Sequence, residues 1–320
     1  MNKGDAAAYA RRAAGPWRFG LGCMALTGLY GTIDTGTARA TLHRALDVGI
    51  SLFDTAALYG NGANEALLGD VLGGRPDVFV TTKFGLVEGN DGKLICDSGP
   101  DAIRRSVEAS LRRLRRDRLD LLLQHRPDAA TPDEVVAAVA ADLILEGKVG
   151  AFGLSAAPSR KIDAFRPIVR VNALQNELSL AADEQRHTAD AAGQAGAMFM
   201  AYAPLGRGIV TGRSLMRSLG ADDYRSTMAR YDPMHQDGDR RLIAAIDAVA
   251  WRHGVTRANV ALAWVLNTGD HVVALPGARS PDQVGELVSS ASLLLDAQDL
   301  NALGSIRTRV SSTERGRNAS

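Results

Sequence analysis

Six short apolar runs in this chain are each followed directly by one polar side chain. These polar residues are Asp54, Lys83, His125, Ser155, Gln175 and Tyr202. Stretches with helical periodicity lie between the runs, and strands that alternate with helices are typical of βα units and a parallel sheet. In a (β/α)8 barrel the carboxyl ends of all strands meet at one face, which carries the active site. The pattern therefore predicts an α/β fold, a (β/α)8 TIM barrel, with these six side chains around one mouth.

Helix signals divide the rest of the chain. The predicted helices have apolar residues at helical spacing, and many begin near proline or end at glycine. They cover residues 35–48, 64–72, 100–115, 132–145, 158–165, 184–195, 239–252, 257–266 and 281–289. Residues 18–21 are predicted to open the barrel and 271–275 to form its eighth strand. Residues 212–238 lack clear periodicity and are too long for an ordinary βα loop, which favours a substrate or cofactor loop.

The length of the chain fits one large barrel or two smaller domains. Its 320 residues include 46% hydrophobic residues, which is ample for a core. Because no linker or internal repeat is visible, we expect a single domain over residues 1–320. Polar or weakly patterned ends predict disordered tails at 1–15 and 311–320.

Charge and cysteine content limit the partners and the compartment. A net charge of +1 gives no electrostatic reason to expect nucleic acid or an anionic membrane. No apolar run approaches the roughly 18 residues of a membrane span, and the N-terminus lacks the apolar region of a signal peptide. Cys23 and Cys96 offer neither a disulfide framework nor metal-ligand spacing. We therefore expect a cytoplasmic protein without a metal, a membrane partner or a nucleic-acid partner.

One glycine motif could be mistaken for a dinucleotide fingerprint. Residues 20–25 read GLGCMA and match G-x-G-x-x-A. That fingerprint requires a helix that opens there and an acidic residue about 20 positions further on. Thr27, Gly28 and Gly31 indicate turns instead, so we expect a glycine-rich loop that forms the floor or wall of a pocket after the first strand.

The strongest candidates for catalysis are Asp54, Tyr59, Lys83 and His125. Each alone has an ordinary structural explanation, but a barrel would bring all four to one place. Because a free tyrosine has a pKa of about 10, we expect the Lys83 ammonium to lower the pKa of Tyr59. We expect Asp54 to pair with Lys83, and His125 to hydrogen-bond a substrate oxygen and share the proton path. Such a site can polarise a carbonyl group and protonate the resulting alkoxide, and it needs a separate hydride donor.

Eight segments of the chain carry a family resemblance. They read GLGCM, FDTAALYGNGANEALLG, TTKFG, LDLLLQHRPD, EGKVGAFGLS, ALQNELSL, AYAPLGRGIVTG and LPGARS. In order and spacing they resemble the aldo-keto reductases, in particular the bacterial branch with YSPLGRG- and PGTR-type motifs. The resemblance implies a TIM barrel, NADPH as cofactor, a small carbonyl compound as partner, and its reduction to an alcohol with Tyr59 as the proton donor.

The same resemblance assigns residues to the cofactor. Ser155 and Gln175 would hold the nicotinamide carboxamide, and Tyr202 would stack on its ring. The loop from Pro204 to Arg207 would pass along the pyrophosphate. The full set of implied cofactor contacts is Cys23, Met24, Asp54, Ser155, Gln175, Tyr202, Pro204, Leu205, Arg207, Gly277, Arg279, Gln283 and Glu286.

The choice between NADP and NAD depends on Arg279 in this prediction. Independently of the family, arginine is the residue type that accommodates a 2′-phosphate, and a predicted helix begins just beside Arg279. The residue type and its position therefore favour NADP.

Four positions depart from the family pattern. Ala156 stands where the family usually has Asn or another polar residue, and Ala57 replaces the usual acid of the tyrosine loop. Glu286 is followed by Leu287 instead of Asn, and the usual EYSL reads ELSL from Glu177. These departures concern cofactor affinity and substrate shape rather than the reaction class.

Two other functions remain compatible with these residues. One is a cofactor-sensing binding subunit with this fold, like the channel β-subunits of the family. The other is an NAD(P)-dependent alcohol or sugar dehydrogenase that uses the same site. The substrate, the physiological direction and the oligomeric state stay open at this point. Candidate substrates are small aldehydes, keto sugars and biosynthetic keto intermediates, with pocket walls expected from residues 86–98 and 212–238.

Overall fold

The structure, a computed structural model, describes residues 3–89, 91–212, 223–228 and 236–304. The strands are β1 (Leu21–Gly22), β2 (Leu52–Asp54), β3 (Phe79–Phe84), β4 (Leu86–Glu88), β5 (Leu94–Cys96), β6 (Leu121–Gln124), β7 (Phe152–Ser155), β8 (Val171–Glu177), β9 (Met198–Tyr202) and β10 (Val272–Leu275). The helices are α1 (Lys3–Ala14), α2 (Thr35–Asp47), α3 (Ala63–Leu72), α4 (Pro100–Leu114), α5 (Asp133–Leu145), α6 (Lys161–Phe165), α7 (Arg186–Gln194), α8 (Gln236–His253), α9 (Arg257–Leu266), α10 (Pro281–Val288) and α11 (Ala297–Gly304).

Eight parallel strands form the main sheet, in the order β1-β2-β3-β6-β7-β8-β9-β10. Parallel bridges join Phe19 to Ala274 and Gly22 to Gly277, so the first and last strands meet. The Gly22 amide also donates to the Pro276 carbonyl at 2.9 Å. Since helices connect the consecutive parallel strands, the predicted (β/α)8 barrel is confirmed.

Alternation along the strands separates the inner core from the outer core. The barrel interior holds one apolar cluster, whose members on the strands or directly before them include Leu52, Leu121, Leu123, Ala151, Ala173, Met198, Met200, Val273 and Leu275. Residues of the opposite parity pack outward against the helices, among them Phe53, Leu122, Leu154, Leu174 and Phe199. Side chains in a strand alternate with a period of two. The inward parity therefore continues to the six polar residues at the strand ends, which the fold directs into the mouth.

The N-terminal segment differs from the expectation of a disordered tail at 1–15. Residues Lys3–Ala14 form helix α1, and Ala10, Ala13 and Ala14 join the inner apolar cluster. The Tyr9 ring packs edge-on against Phe79, the first residue of β3, with centroids 6.2 Å apart. The prediction was wrong because alanines at helical spacing form a narrow apolar stripe. These small side chains let helix α1 pack closely against the inner cluster at the amino-terminal end of the barrel, opposite the mouth.

We expect Ala10→Asp to lower the free energy of unfolding by about 3 kcal/mol or more, because it buries an unpaired charge in the inner cluster. Ala8 lies on the exposed side of the same helix, so Ala8→Asp is the matched control and should change stability little. Thermal unfolding of the two variants measures the difference. Equal unfolding midpoints would mean that α1 does not pack against the barrel in solution.

The connections after the strands include an antiparallel strand pair and a short 3-10 turn. The predicted pocket wall at 86–98 contains the antiparallel pair β4 and β5. Only 212, 223–228 and 236–238 of the predicted loop at 212–238 lie within the described residues, and the C-terminal tail at 311–320 lies outside them. A short 3-10 turn at Cys23–Thr27 follows β1, which agrees with the turns predicted from the sequence and differs from the long helix that a dinucleotide fingerprint would open.

Within the described ranges, no helix is long and apolar enough to cross a membrane. The same residues contain no group of three or more His, Cys, Asp or Glu side chains that could hold a metal ion.

Candidate active site

Lys83 occupies the centre of the mouth as a buried cation. Its side chain is 1% exposed. The Nζ atom donates hydrogen bonds to Asp54 Oδ2 and to the Thr55 carbonyl oxygen, each at 2.7 Å. It also lies 3.4 Å from the Tyr59 hydroxyl oxygen. A buried ammonium needs both a counter-charge and hydrogen-bond acceptors, and these contacts supply them.

The Asp54 carboxylate uses both of its oxygens. While Oδ2 accepts from Lys83, Oδ1 accepts a 2.7 Å hydrogen bond from Gln175 Nε2. Gln175 is buried and lies beside Ser155 in the register of β7 and β8. The carboxylate therefore links the lysine to the opposite side of the mouth.

Tyr59 reaches Lys83 from a tight turn between β2 and α3. The backbone after it takes left-handed conformations, with φ of 57° at Gly60, 50° at Asn61 and 88° at Gly62. Glycine and asparagine adopt such angles most readily. The turn brings the Tyr59 ring to 5.9 Å from the His125 ring, in an edge-to-face arrangement.

The expected lowering of the Tyr59 pKa is wrong. Burial and the Asp54 carboxylate raise the pKa of Tyr59 well above its ordinary value of 10. The Lys83 charge does not reverse this because Asp54 lies directly against it. At neutral pH the phenol is therefore protonated.

His125 completes the group as a neutral imidazole. Burial, and then the charges of Lys83 and Arg126, hold the pKa of His125 well below 6.5. Its Nδ1 atom is buried without a hydrogen-bond partner among the described residues. A neutral ring at this position can offer a hydrogen bond to an oxygen in the mouth without carrying a charge.

The other half of the mouth consists of uncharged polar and aromatic groups. Ser155, Gln175 and Tyr202 end or nearly end the neighbouring strands β7, β8 and β9. Burial, and then the Glu177 carboxylate, raise the pKa of Tyr202, so its ring is neutral. Among the described residues, no group donates to Gln175 Oε1, which is free to accept from a ligand amide. A hydroxyl, an amide and a flat aromatic ring therefore lie side by side at the ends of three adjacent strands.

The loop after β9 carries Arg207 along the rim. Ala203, Gly206, Arg207 and Gly208 all have positive φ, which folds the loop tightly over buried Pro204 and half-buried Leu205. Arg207 Nη1 donates to Glu177 Oε1 at 2.7 Å. The guanidinium carbon lies 6.0 Å from the Tyr202 ring centroid. A cation therefore stands beside the aromatic face.

Cys23 and Met24 begin the turn after β1. Cys23 is fully buried, and its Sγ donates a hydrogen bond to the Leu21 carbonyl oxygen at 3.4 Å. Burial raises the pKa of its thiol. Met24 is half-buried. Gly277 is exposed at the end of β10 and pairs with Gly22.

The structure shows a role for Arg279 that the sequence did not reveal. Its guanidinium donates to the carbonyl oxygens of Tyr30, of Gly31 at 2.9 Å and of Thr32 at 2.6 Å. Gln283 Oε1 accepts from the Arg279 backbone amide at 2.8 Å. Arg279 therefore fastens the loop after β1 to the loop after β10.

Glu286 lies one turn further along α10. It is half-buried, and its carbonyl oxygen accepts from Asn259 Nδ2 at 2.8 Å.

Sequence reasoning missed a second connection over the mouth. Arg225 Nη1 donates to the Arg207 carbonyl at 2.9 Å, and its guanidinium lies 4.9 Å from the Tyr30 ring centroid. The Tyr224 amide donates to the Leu29 carbonyl at 3.1 Å. These contacts lie within the stretch at 212–238 that was predicted to serve as a loop, but no local motif indicated its partners.

Comparison with known proteins gives a consistent result. A family model described as the aldo/keto reductase family matches residues 18–308. The probable aldo-keto reductase 1 of Glycine max is 30% identical over 290 residues, which cover 89% of this chain and 84% of that protein. The glycerol dehydrogenase AKR11B4 from Gluconobacter oxydans superimposes with a TM-score of 0.84 and 31% identity, over 94% of this chain and 95% of that chain. The aldo-keto reductase AKR11C1 from Bacillus halodurans, in its holo form, gives a TM-score of 0.74 at 24% identity over 93% and 95% of the two chains, a likeness that shows the fold alone.

Proposed function

The chain belongs to the aldo/keto reductase family, and from this premise we propose that it reduces an aldehyde or a ketone to the alcohol with NADPH, with Tyr59 as the proton donor. Members of this family are oxidoreductases that use nicotinamide cofactors. The observation that carries the proposal is the buried Lys83 ammonium, held by Asp54 and lying 3.4 Å from the Tyr59 hydroxyl.

The residues of the mouth fit a nicotinamide cofactor. The Gln175 amide oxygen and the Ser155 hydroxyl suit a carboxamide, and the Tyr202 ring suits a stacked nicotinamide. Arg207 and Arg279 lie further along the rim, where a dinucleotide carries its phosphates. The donor set at the ends of strands β7 to β10 is therefore the one that would hold the cofactor, while the acid Tyr59 comes from the turn between β2 and α3.

In the proposed reaction the protein positions and protonates the substrate. Bound NADPH supplies the hydride. His125, as a neutral imidazole, hydrogen-bonds the carbonyl oxygen, and the protonated Tyr59 polarises it. An alkoxide is far more basic than a phenolate, so Tyr59 gives its proton to the alkoxide, which becomes the alcohol, even though the pKa of Tyr59 is raised. The Lys83 ammonium then stabilises the phenolate in a site of low dielectric constant.

We propose a cytoplasmic setting and a small-molecule carbonyl substrate, with no nucleic-acid partner. Both cysteines are free, as a reducing compartment requires. The net charge of +1 gives no electrostatic reason to expect a polyanionic partner.

For the choice of NADP, we expect Arg279→Ala to weaken binding of NADPH more than binding of NADH. A charge-assisted hydrogen bond contributes roughly 1.5–3 kcal/mol, which corresponds to about 10- to 150-fold in Kd. The variant also releases the loop at residues 30–32, and this loss is common to both nucleotides. The ratio of the two losses, measured by calorimetric titration, therefore isolates the contribution of the 2′-phosphate.

Arg279→Lys is the control for that measurement. It keeps a positive charge but cannot hold three carbonyl oxygens with a planar fork. We expect it to retain part of the preference for NADPH. Equal losses of both nucleotides in the alanine variant would show that Arg279 only fastens the loop and does not read the phosphate.

A screen of carbonyl compounds tests the proposed activity. Purified protein should oxidise NADPH when aldehydes, keto sugars or other small ketones are added, and the Tyr59→Phe variant should do so about 10²–10⁴-fold more slowly. Tight NADPH binding without turnover of any compound would favour the alternative of a cofactor-sensing binding subunit.

A second candidate function is alcohol oxidation. It is favoured by the likeness to the glycerol dehydrogenase of Gluconobacter oxydans, which covers almost the whole chain. The same site would then run in reverse, with Tyr59 as the proton acceptor. Assays of glycerol and related polyols with NAD⁺ and NADP⁺ compare the two directions and the two cofactors.

A further inference from the structure

Asn64 is a buried polar residue outside the catalytic group, and its side chain joins three separate segments. It is the second residue of α3 and is 0% exposed. Its Nδ2 donates to the Cys23 carbonyl at 2.8 Å and to Thr27 Oγ1 at 3.1 Å. Its Oδ1 accepts from Thr55 Oγ1 at 2.6 Å. All these partners belong to the loops that surround Tyr59.

The contact with Thr55 leads to the lysine. The Thr55 carbonyl is one of the two acceptors that hold Lys83 Nζ at 2.7 Å, and Thr55 directly follows Asp54, which supplies the other acceptor. The Thr55 backbone amide is tied to the Thr81 carbonyl at 2.8 Å. Asn64 holds the Thr55 side chain, which fixes the residue that presents this carbonyl to Lys83.

The contact with Thr27 leads to the tyrosine turn. A Cβ built on Gly60 would lie 3.3 Å from Thr27 Cβ, so the Thr27 side chain lies close to the backbone next to Tyr59 and leaves little room there. Asn64 therefore contacts the surroundings of the Tyr59 turn through its hydrogen bond to Thr27. It contacts the surroundings of Lys83 through its hydrogen bond with Thr55.

We propose that Asn64 is a positioning residue, which sets the distance between Lys83 and Tyr59 by hydrogen bonding to Thr55 and Thr27. The proposal rests on the proposed function of Tyr59 and Lys83. A buried amide with three partners also stabilises the fold, so the test must separate placement of the two side chains from stability.

The main test uses Thr55→Val, which keeps the shape of the side chain and removes its hydrogen bond to Asn64. Thr41 on α2 is the matched control because it is equally buried and its hydroxyl makes one hydrogen bond, to the Thr37 carbonyl. Since small misplacements of catalytic groups cost up to about 10²-fold, we expect Thr55→Val to lower kcat by about 10-fold to 10²-fold, with the KM for NADPH unchanged. Thr41→Val should lower only the unfolding temperature, and Thr55→Ser should recover most of the lost kcat.

A second readout works without turnover. In protein labelled with ¹³C at tyrosine Cζ, the Tyr59 signal is assigned by its absence from Tyr59→Phe, and it reports the surroundings of the hydroxyl. We expect this signal and its pH titration to move in Thr55→Val and in Asn64→Leu, and to stay in place in Thr41→Val. If the Tyr59 signal stays in place in Thr55→Val as it does in Thr41→Val, the positioning role is overturned, whatever the value of kcat.

The two readouts separate this proposal from the proposed function. If the wild-type protein reduces no carbonyl compound, the proposed activity fails, but the tyrosine signal still tests the placement of Tyr59. If the wild-type protein is active and the Tyr59 signal does not respond to Thr55→Val, only the positioning role of Asn64 fails.

Discussion

Tyr59→Phe should lower kcat for carbonyl reduction by about 10²–10⁴-fold, which is the usual contribution of a general acid. Phenylalanine keeps the ring and its edge-to-face contact with His125, while the proton and the hydroxyl near Lys83 are lost. Affinity for NADPH should stay nearly unchanged because the proposed nicotinamide contacts lie on β7 to β9. Single-turnover kinetics measure the chemical step, since slow cofactor release would mask part of the loss in kcat.

Tyr9→Phe is the matched control for this substitution. Tyr9 lies on α1 at the opposite end of the barrel, and its buried hydroxyl has no hydrogen-bond partner among the described residues. Burial raises the pKa of Tyr9 to about 12, so this phenol is also neutral. Its removal should leave turnover intact. A Tyr59→Phe protein with single-turnover rates close to the wild type would show that another group donates the proton.

Lys83→Met should lower kcat by about 10²–10³-fold, the usual cost of losing one preorganised group that stabilises developing charge. It should also lower the free energy of unfolding by about 3–5 kcal/mol, because the buried Asp54 carboxylate loses its counter-charge. Without a cation beside it, the phenolate of Tyr59 is harder to form. The alkaline limb of the pH profile, which reflects deprotonation of Tyr59, should therefore move to higher pH.

A double variant separates these two effects. Lys83→Met combined with Asp54→Asn leaves an uncharged pair and should recover much of the lost stability without recovering turnover. Unfolding curves and rates of NADPH oxidation provide the comparison. Both are measured from about pH 6 to about pH 11, a range that includes the ordinary tyrosine pKa of about 10. If turnover and the pH profile of Lys83→Met both match the wild type, Lys83 and Tyr59 are not coupled.

The departure at Ala156 has a backbone aspect that the sequence did not show. Ala156 has φ of 49°, and its amide donates to the Gln175 carbonyl at 2.9 Å. Asparagine tolerates this left-handed conformation better than alanine does. Alanine at position 156 therefore differs from asparagine in two ways: it is less suited to a φ of 49°, and it lacks a polar group next to Ser155.

The sequence alone predicted the barrel and the group of residues at its mouth. Side chains alternate along a strand with a period of two, so short sequence segments show which residues face inward. Connections between parallel strands are almost always right-handed, so the order of the elements then limits the topology. A polar residue at the end of an inward-facing row must then enter the mouth, as Asp54, Lys83 and His125 do. The aldo-keto reductase motifs added the identity of the family, which the comparisons confirm.

Tertiary structure alone decided the features that depend on burial and on distant partners. Helix α1 was missed because its alanine stripe gains stability only against the inner barrel cluster. The carbonyl partners of Arg279 lie almost 250 positions away along the chain, with a separation of 249 for Tyr30. The direction of the Tyr59 pKa depends on burial and on Asp54 more than on the nearby lysine. Local sequence encodes backbone periodicity and side-chain type, but desolvation and Coulomb energies depend on distances that exist only after the chain has folded.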